Sequence, residues 1–140
     1  MRPTENYVNE MIFPIGPGKI ISLRNDGPYA QVIIEHKNGN LICWSVYEHI
    51  AGISATLGQQ VNPNEPIGRF MNKEELNLYG WQFNHLHLEI LRIPPRKIIP
   101  DLKNPYHFYF TYNLDCFTKE ELNSRYYDPF EFFKANLLKQ

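Results

Sequence analysis

The sequence predicts a mainly β domain of short antiparallel strands, closed by two short helices at its C-terminal end. Three observations carry this reading. Apolar and β-branched runs such as Ala30-Gln31-Val32-Ile33-Ile34 recur between turn signals, a strand pattern. Lys37-Asn38-Gly39-Asn40 places an Asn-Gly dipeptide between two such runs, the strongest short-range hairpin signal. Eleven prolines and eight glycines in 140 residues favour many short elements over long helices.

Residues 1–17 read as irregular, with Pro14, Gly16 and Pro17 marking a turn. Gly18–Leu23 reads as a first strand, Asn25–Pro28 as a turn, and Ala30–His36 as a second strand. Leu41–Tyr47 is the return strand of the hairpin. Ser54–Leu57 and Ile67–Phe70 read as short strands flanking the turn-rich link Gly58–Pro66. Met71–Phe83 reads as a loop with a helical turn at Asn72–Leu76, and His85–Arg92 as the best-patterned strand. Residues 93–117, rich in proline and aromatics, read as a long excursion. Thr118, with Glu121 three residues on, has the capping-box pattern. Asp128 then caps a second short helix with Pro129 at its first position. The chain reads as one domain over 1–140, with a β core at 18–92 and the excursion and helices at 93–140.

An apolar content of 43% and a charged content of 21% are those of a globular protein with a normal core. A net charge of -1 without blocks of like charge gives no electrostatic footprint for nucleic acid. No window is long and apolar enough to span a bilayer, and the first residues lack the apolar centre of a signal peptide. Cys43 lies in an apolar run and reads as a small buried hydrophobe, whereas Cys116 lies in a polar segment. Neither has zinc-type spacing, and their pairing stays open.

The chemistry concentrates in Asn84-His85-Leu86-His87-Leu88-Glu89-Ile90. In an extended chain His85, His87 and Glu89 share one face, and Leu86, Leu88 and Ile90 the other. The leucine side reads as core and the histidine side as the floor of a groove. Imidazole both ligates metals and exchanges protons near neutral pH, so this spacing suggests a metal or acid/base site.

Other candidates read as structural. His36 is expected at the surface or packed on a turn, and His107 within a packed aromatic excursion. Tyr106, Phe108, Tyr109, Phe110 and Tyr112 read as a hydrophobic cluster under a long loop, with a binding surface for glycan or peptide as the alternative. Glu120-Glu121 reads as a solvated helix start. Ser22, Ser45 and Ser54 lack the surroundings of a nucleophile elbow.

In order along the chain, residues 18–90 resemble the lysostaphin-type zinc peptidases, which cut the peptide cross-links of bacterial cell walls. Gly18-Lys19-Ile20-Ile21 is similar to that family's glycine-led strand, and Val32 to Gly39 to its strand and Asn-Gly hairpin. Tyr47-Glu48-His49-Ile50 resembles its Tyr-x-His-Leu. Gly58-Gln59-Gln60-Val61 and Pro66-Ile67-Gly68 resemble its Gly-Gln-x-Val and Ile-Gly. His85-Leu86-His87-Leu88-Glu89-Ile90 is similar to its final His-Leu-His-Phe-Glu-Ile, and Tyr127-Asp128-Pro129-Phe130 to its Asp-Pro closing.

The resemblance implies a two-layer antiparallel β-sandwich with a zinc-bearing groove, an extracytoplasmic setting, and peptidoglycan peptides as partners. It implies His87 as a zinc ligand, with His49 and His85 moving protons and polarising the carbonyl. The family's other two zinc ligands come from an upstream His-x-x-x-Asp, expected roughly fifteen to twenty residues before Gly18. Met1–Pro17 holds no histidine, and its only carboxylates are Glu5 and Glu10. The preferred reading is a truncated or degenerate peptidase-like domain, with weak or no activity alone. The others are zinc held by His49, His85 and His87 or with Glu5 or Glu10 swung in, and ligands supplied by a longer chain or a partner. A noncatalytic module for wall peptides or a protein partner is the alternative function. A phosphocarrier with a phosphorylated His49 or His87 matches the motifs poorly.

Overall fold

The runs on either side of Asn38-Gly39 form the centre of the molecule. The computed structural model describes residues 10–82, 84–112, 118–129 and 131–132. Among them are the strands β1 (Met11–Ile12), β2 (Gly18–Arg24), β3 (Gln31–Asn38), β4 (Leu41–Glu48), β5 (Gln60–Val61), β6 (Gly68–Arg69), β7 (His87–Leu91), β8 (Arg96–Lys97), β9 (Tyr109–Phe110) and β10 (Tyr126–Tyr127). The helices α1 (Lys73–Tyr79) and α2 (Lys119–Arg125) and a 3-10 turn at Gly27–Tyr29 are also present, and Pro129, Glu131 and Phe132 are helical. β3 and β4 pair without a slip from Gln31 opposite Glu48 to Asn38 opposite Leu41. Gly39 takes the positive φ of 62° that this two-residue turn needs.

The central antiparallel sheet has the order β10-β7-β4-β3-β2-β5, with separate two-stranded sheets β1-β6 and β8-β9. Alternation along β3 sends Val32 and Ile34 to one face and Ile33 to the other. On the first face they meet Ile20, Tyr47, Ile50 and Ile67, with Ile12 of β1 closing the core from the small sheet. Two β layers thus enclose the larger core, as expected of the sandwich. On the second face Ile33, Trp44, Val46, Leu91 and Tyr126 form another cluster, covered by Tyr109 and Tyr112 of the excursion. Ser22 fixes that cover by accepting the backbone N–H groups of Phe108 and Tyr109, each at 3.1 Å.

Several boundaries differ from expectation. Met11–Ile12 is a strand where irregular chain was expected, because β6 pairs with it across a long sequence gap. Ser54–Leu57 is not a strand. Gly52 and Gly58 bend the chain on either side with positive φ, and Ser54 spends its N–H and hydroxyl on Ile67 and Pro66. The helical turn near Asn72 extends to Tyr79, held by a complete capping box between Asn72 and Glu75. β10 adds a strand beyond the expected core by pairing with β7. Thr118 caps α2 by accepting the N–H of Glu121, and Asp128 accepts the N–H of Glu131 at 3.3 Å. Cys43 is buried, and burial pushes its thiol up to about 11. Cys116 and Glu5 lie outside the described residues.

His36 is more deeply placed than expected. Its Nδ1 faces the Pro17 carbonyl at 2.8 Å and its Nε2 lies 2.7 Å from Ser45 Oγ, beneath the first residues of β2. Burial holds this imidazole below its ordinary value of 6.5. A depressed base makes the unfolded chain the better proton acceptor. The stabilisation from a neutral His36 is therefore complete above about pH 6.5 and is lost as pH falls toward the folded value. Buried His107 shifts the same way, chiefly from burial. Denaturation midpoints should fall between pH 7.5 and pH 5, and fall less in His36→Gln; equal slopes would contradict this role.

Candidate active site

β4 and β7 build the site. Their register sets Glu48 opposite His87, Tyr47 opposite Leu88 and Val46 opposite Glu89. Glu48, His87 and Glu89 therefore stand on one face of the sheet, while Leu86 and Leu88 pack into the larger core. His85 lies just before the strand instead of on it, and is exposed. It is held near the groove because Asn84, buried beside it, donates to the Met71 carbonyl at 3.0 Å.

His49 follows β4 directly and is the one described non-glycine residue with positive φ, at 65°. A left-handed backbone costs a side-chain-bearing residue about 1–2 kcal/mol, so the surroundings must impose it. They do: its N–H reaches the Ala30 carbonyl at 3.1 Å and its Nδ1 the Pro28 carbonyl at 2.8 Å. A carbonyl only accepts, so Nδ1 carries the proton and the neutral ring keeps its lone pair on Nε2.

The rings converge. His49 lies 4.8 Å from His85 and 6.1 Å from His87, centroid to centroid. Trp81 stacks on His85 at 5.2 Å and meets His49 edge-on at 4.9 Å. Gly80, left-handed at the end of α1, lets the Trp81 N–H reach back to the Leu76 carbonyl and turns the indole into the cluster.

Acidic groups adjoin this cluster. Glu89 Oε2 pairs with His87 Nε2 at 2.5 Å, and this contact holds the imidazole above its ordinary range against partial burial. Gln31, opposite Glu48 on β3, donates to Glu48 Oε1 at 3.1 Å. Glu89 Oε1 and Gln31 Oε1 are buried with no hydrogen-bond partner among the described residues. The three imidazoles gather by their rings, but the donor atoms that come within 4.8 Å of one another are those of Glu48, His87 and Glu89. One nitrogen, two carboxylates and an unsatisfied buried oxygen fit a divalent cation. Glu10 is exposed at the start of the described chain, and its backbone carbonyl accepts from Phe70.

Sequence reasoning singled out His49, His85 and His87, and the fold brings all three together. It missed Trp81, Glu48 and Gln31. Glu48 was readable in part: it lies two residues after Val46 and so shares its face, but only the β4-β7 pairing reveals what stands opposite.

The profile of peptidase family M23 matches residues 5–99. The chain belongs to this family. No curated protein matches the chain. Among solved structures, lysostaphin in solution superposes with a TM-score of 0.57 at 18% identity, covering 91% of this chain and 40% of that one. The antimicrobial peptidase lysostaphin from Staphylococcus simulans gives a TM-score of 0.52 at 17% identity, covering 96% and 46%. A zinc-containing peptidase from Vibrio cholerae is 27% identical, with a TM-score of 0.45 over 59% of this chain and 24% of that one. The M23 domain here thus spans less than half the length of these three chains. Among its described residues, no helix is long and apolar enough to cross a membrane.

Proposed function

We propose that this M23 domain engages the cross-link peptides of bacterial cell walls in the His49/His85/His87 groove, and cleaves them slowly on its own. The observation that carries the reading is the convergence of the three family-matched histidines around Trp81. A bound zinc supplies Lewis acidity there, with His87 among its ligands. The chain's own residues do the rest. His49, its Nδ1 proton committed to Pro28, offers Nε2 to take or return a proton. His85, exposed at the groove edge, can donate to a peptide carbonyl, and Trp81 gives the peptide an apolar wall. Among the described residues His87 is the one matched to a family zinc ligand, so these 140 residues by themselves cleave slowly.

A second reading rests on the aromatic wall that Trp81 makes against His85: a module that binds wall peptides without cutting them. Calorimetric titration with a synthetic cross-link peptide, alongside mass spectrometry of the same mixture, separates the two. Binding weakened about tenfold or more in Trp81→Ala, the scale of an aromatic anchor, is the expected result. Products over hours indicate the peptidase, and binding without products the module. No binding to the folded chain would overturn both.

A further inference from the structure

The row Gln31–Glu48–His87–Glu89 crosses three adjacent strands on one face of the sheet. The family motif Tyr-x-His leaves the residue at position 48 unspecified, and here it is a carboxylate set opposite the one matched zinc ligand. A pair of acids beside a histidine is by itself only a polar surface. Two further observations point to an occupant. The Glu89 side chain is 8% exposed, yet one of its oxygens has no donor among the described residues. Gln31, also buried, turns its amide N–H toward Glu48 and leaves its own oxygen equally unsatisfied. Two buried acceptors without donors, beside two carboxylates and an imidazole, lack positive charge.

We infer that Glu48 and Glu89 act with His87 as the ligands of a divalent zinc ion, a set the chain supplies from β4 and β7 alone. Zinc binding releases to solvent the proton now shared by His87 Nε2 and Glu89 Oε2. The inference builds on the proposed site but not on peptide recognition. Three protein ligands of this type leave a position open, as a hydrolytic metal requires. Gln31 then works as a positioning residue, orienting Glu48 through its amide.

Equilibrium dialysis of the 140-residue chain against zinc chloride, followed by elemental analysis, tests this, with thermal unfolding as a second readout. One zinc per chain and a raised unfolding midpoint are expected. Glu48→Gln and Glu89→Gln should each weaken zinc at least about tenfold and lower the thermal shift, while His49→Gln keeps both. Circular dichroism establishes that each variant is folded, and half-buried Glu48 provides the milder substitution should Glu89→Gln disturb packing. No zinc on the folded chain, or zinc retained at full affinity in both glutamine variants, would overturn the assignment. Peptide binding by a zinc-free chain would leave the proposed function standing without this site.

Discussion

Truncation of Ile34 to alanine is expected to destabilise the domain by about 2–5 kcal/mol, the largest single effect of any core substitution considered. Ile34 has no exposed surface and sits at the middle of β3, between Ile20 of β2 and Ser45 of β4. Its loss opens a cavity at the point where the two β layers close. Gly18 leaves no room for compensation from above, since a Cβ there would lie 2.6 Å from both the Glu35 carbonyl oxygen and Ile34 Cγ2. Gly18→Ala should therefore also destabilise, by roughly 1–3 kcal/mol of overpacking. Combining it with Ile34→Ala should recover only part of that cost, because the clash with the Glu35 backbone persists. Urea denaturation of the two single variants and the double checks this directly; strict additivity would contradict it.

His87→Ala is expected to have the second large effect, on metal and cleavage together. Loss of a direct ligand should weaken zinc by more than the 10–100-fold typical of an outer-shell partner, and peptide cleavage should fall with it. The substitution also strips Glu89 of its partner while Glu89 stays buried. Breaking a fully buried pair costs about 3–5 kcal/mol, and less here because the His87 side chain is 40% exposed. His87→Gln, which restores a donor to Glu89, should recover stability without recovering zinc. If His87→Gln bound zinc as tightly as the unmodified chain, His87 would not be a ligand.

Local signals carried far in this chain. The Asn38-Gly39 turn, the β-branched run before it and the two helix caps are short-range features, and each folds where the sequence places it. The period-two alternation of His87, Leu88 and Glu89 likewise predicts which side chains enter the core and which face the groove. What was not legible is non-local. β1 exists only because β6 lies beside it, and β10 only because β7 offers an edge. Glu48 becomes a site residue through the β4-β7 register, and Trp81 through the turn at Gly80 that follows α1. His36 looked superficial beside its hairpin, but Pro17, far away in sequence, covers it. The histidines of the site and Glu89 were legible from their motifs, and Glu48 needed the sheet.

The central claim is that this domain handles wall peptides through a zinc-dependent histidine groove. It is tested most directly by incubating the chain with cross-linked peptidoglycan fragments and zinc, with and without a chelator, and following the peptides by mass spectrometry. The account predicts slow release of cleaved peptides that stops with chelator and in His49→Ala, where loss of a proton-transfer group typically costs about 10²–10⁴-fold. Cleavage that persists through both treatments, or fragments neither bound nor cut by the folded chain, would contradict it.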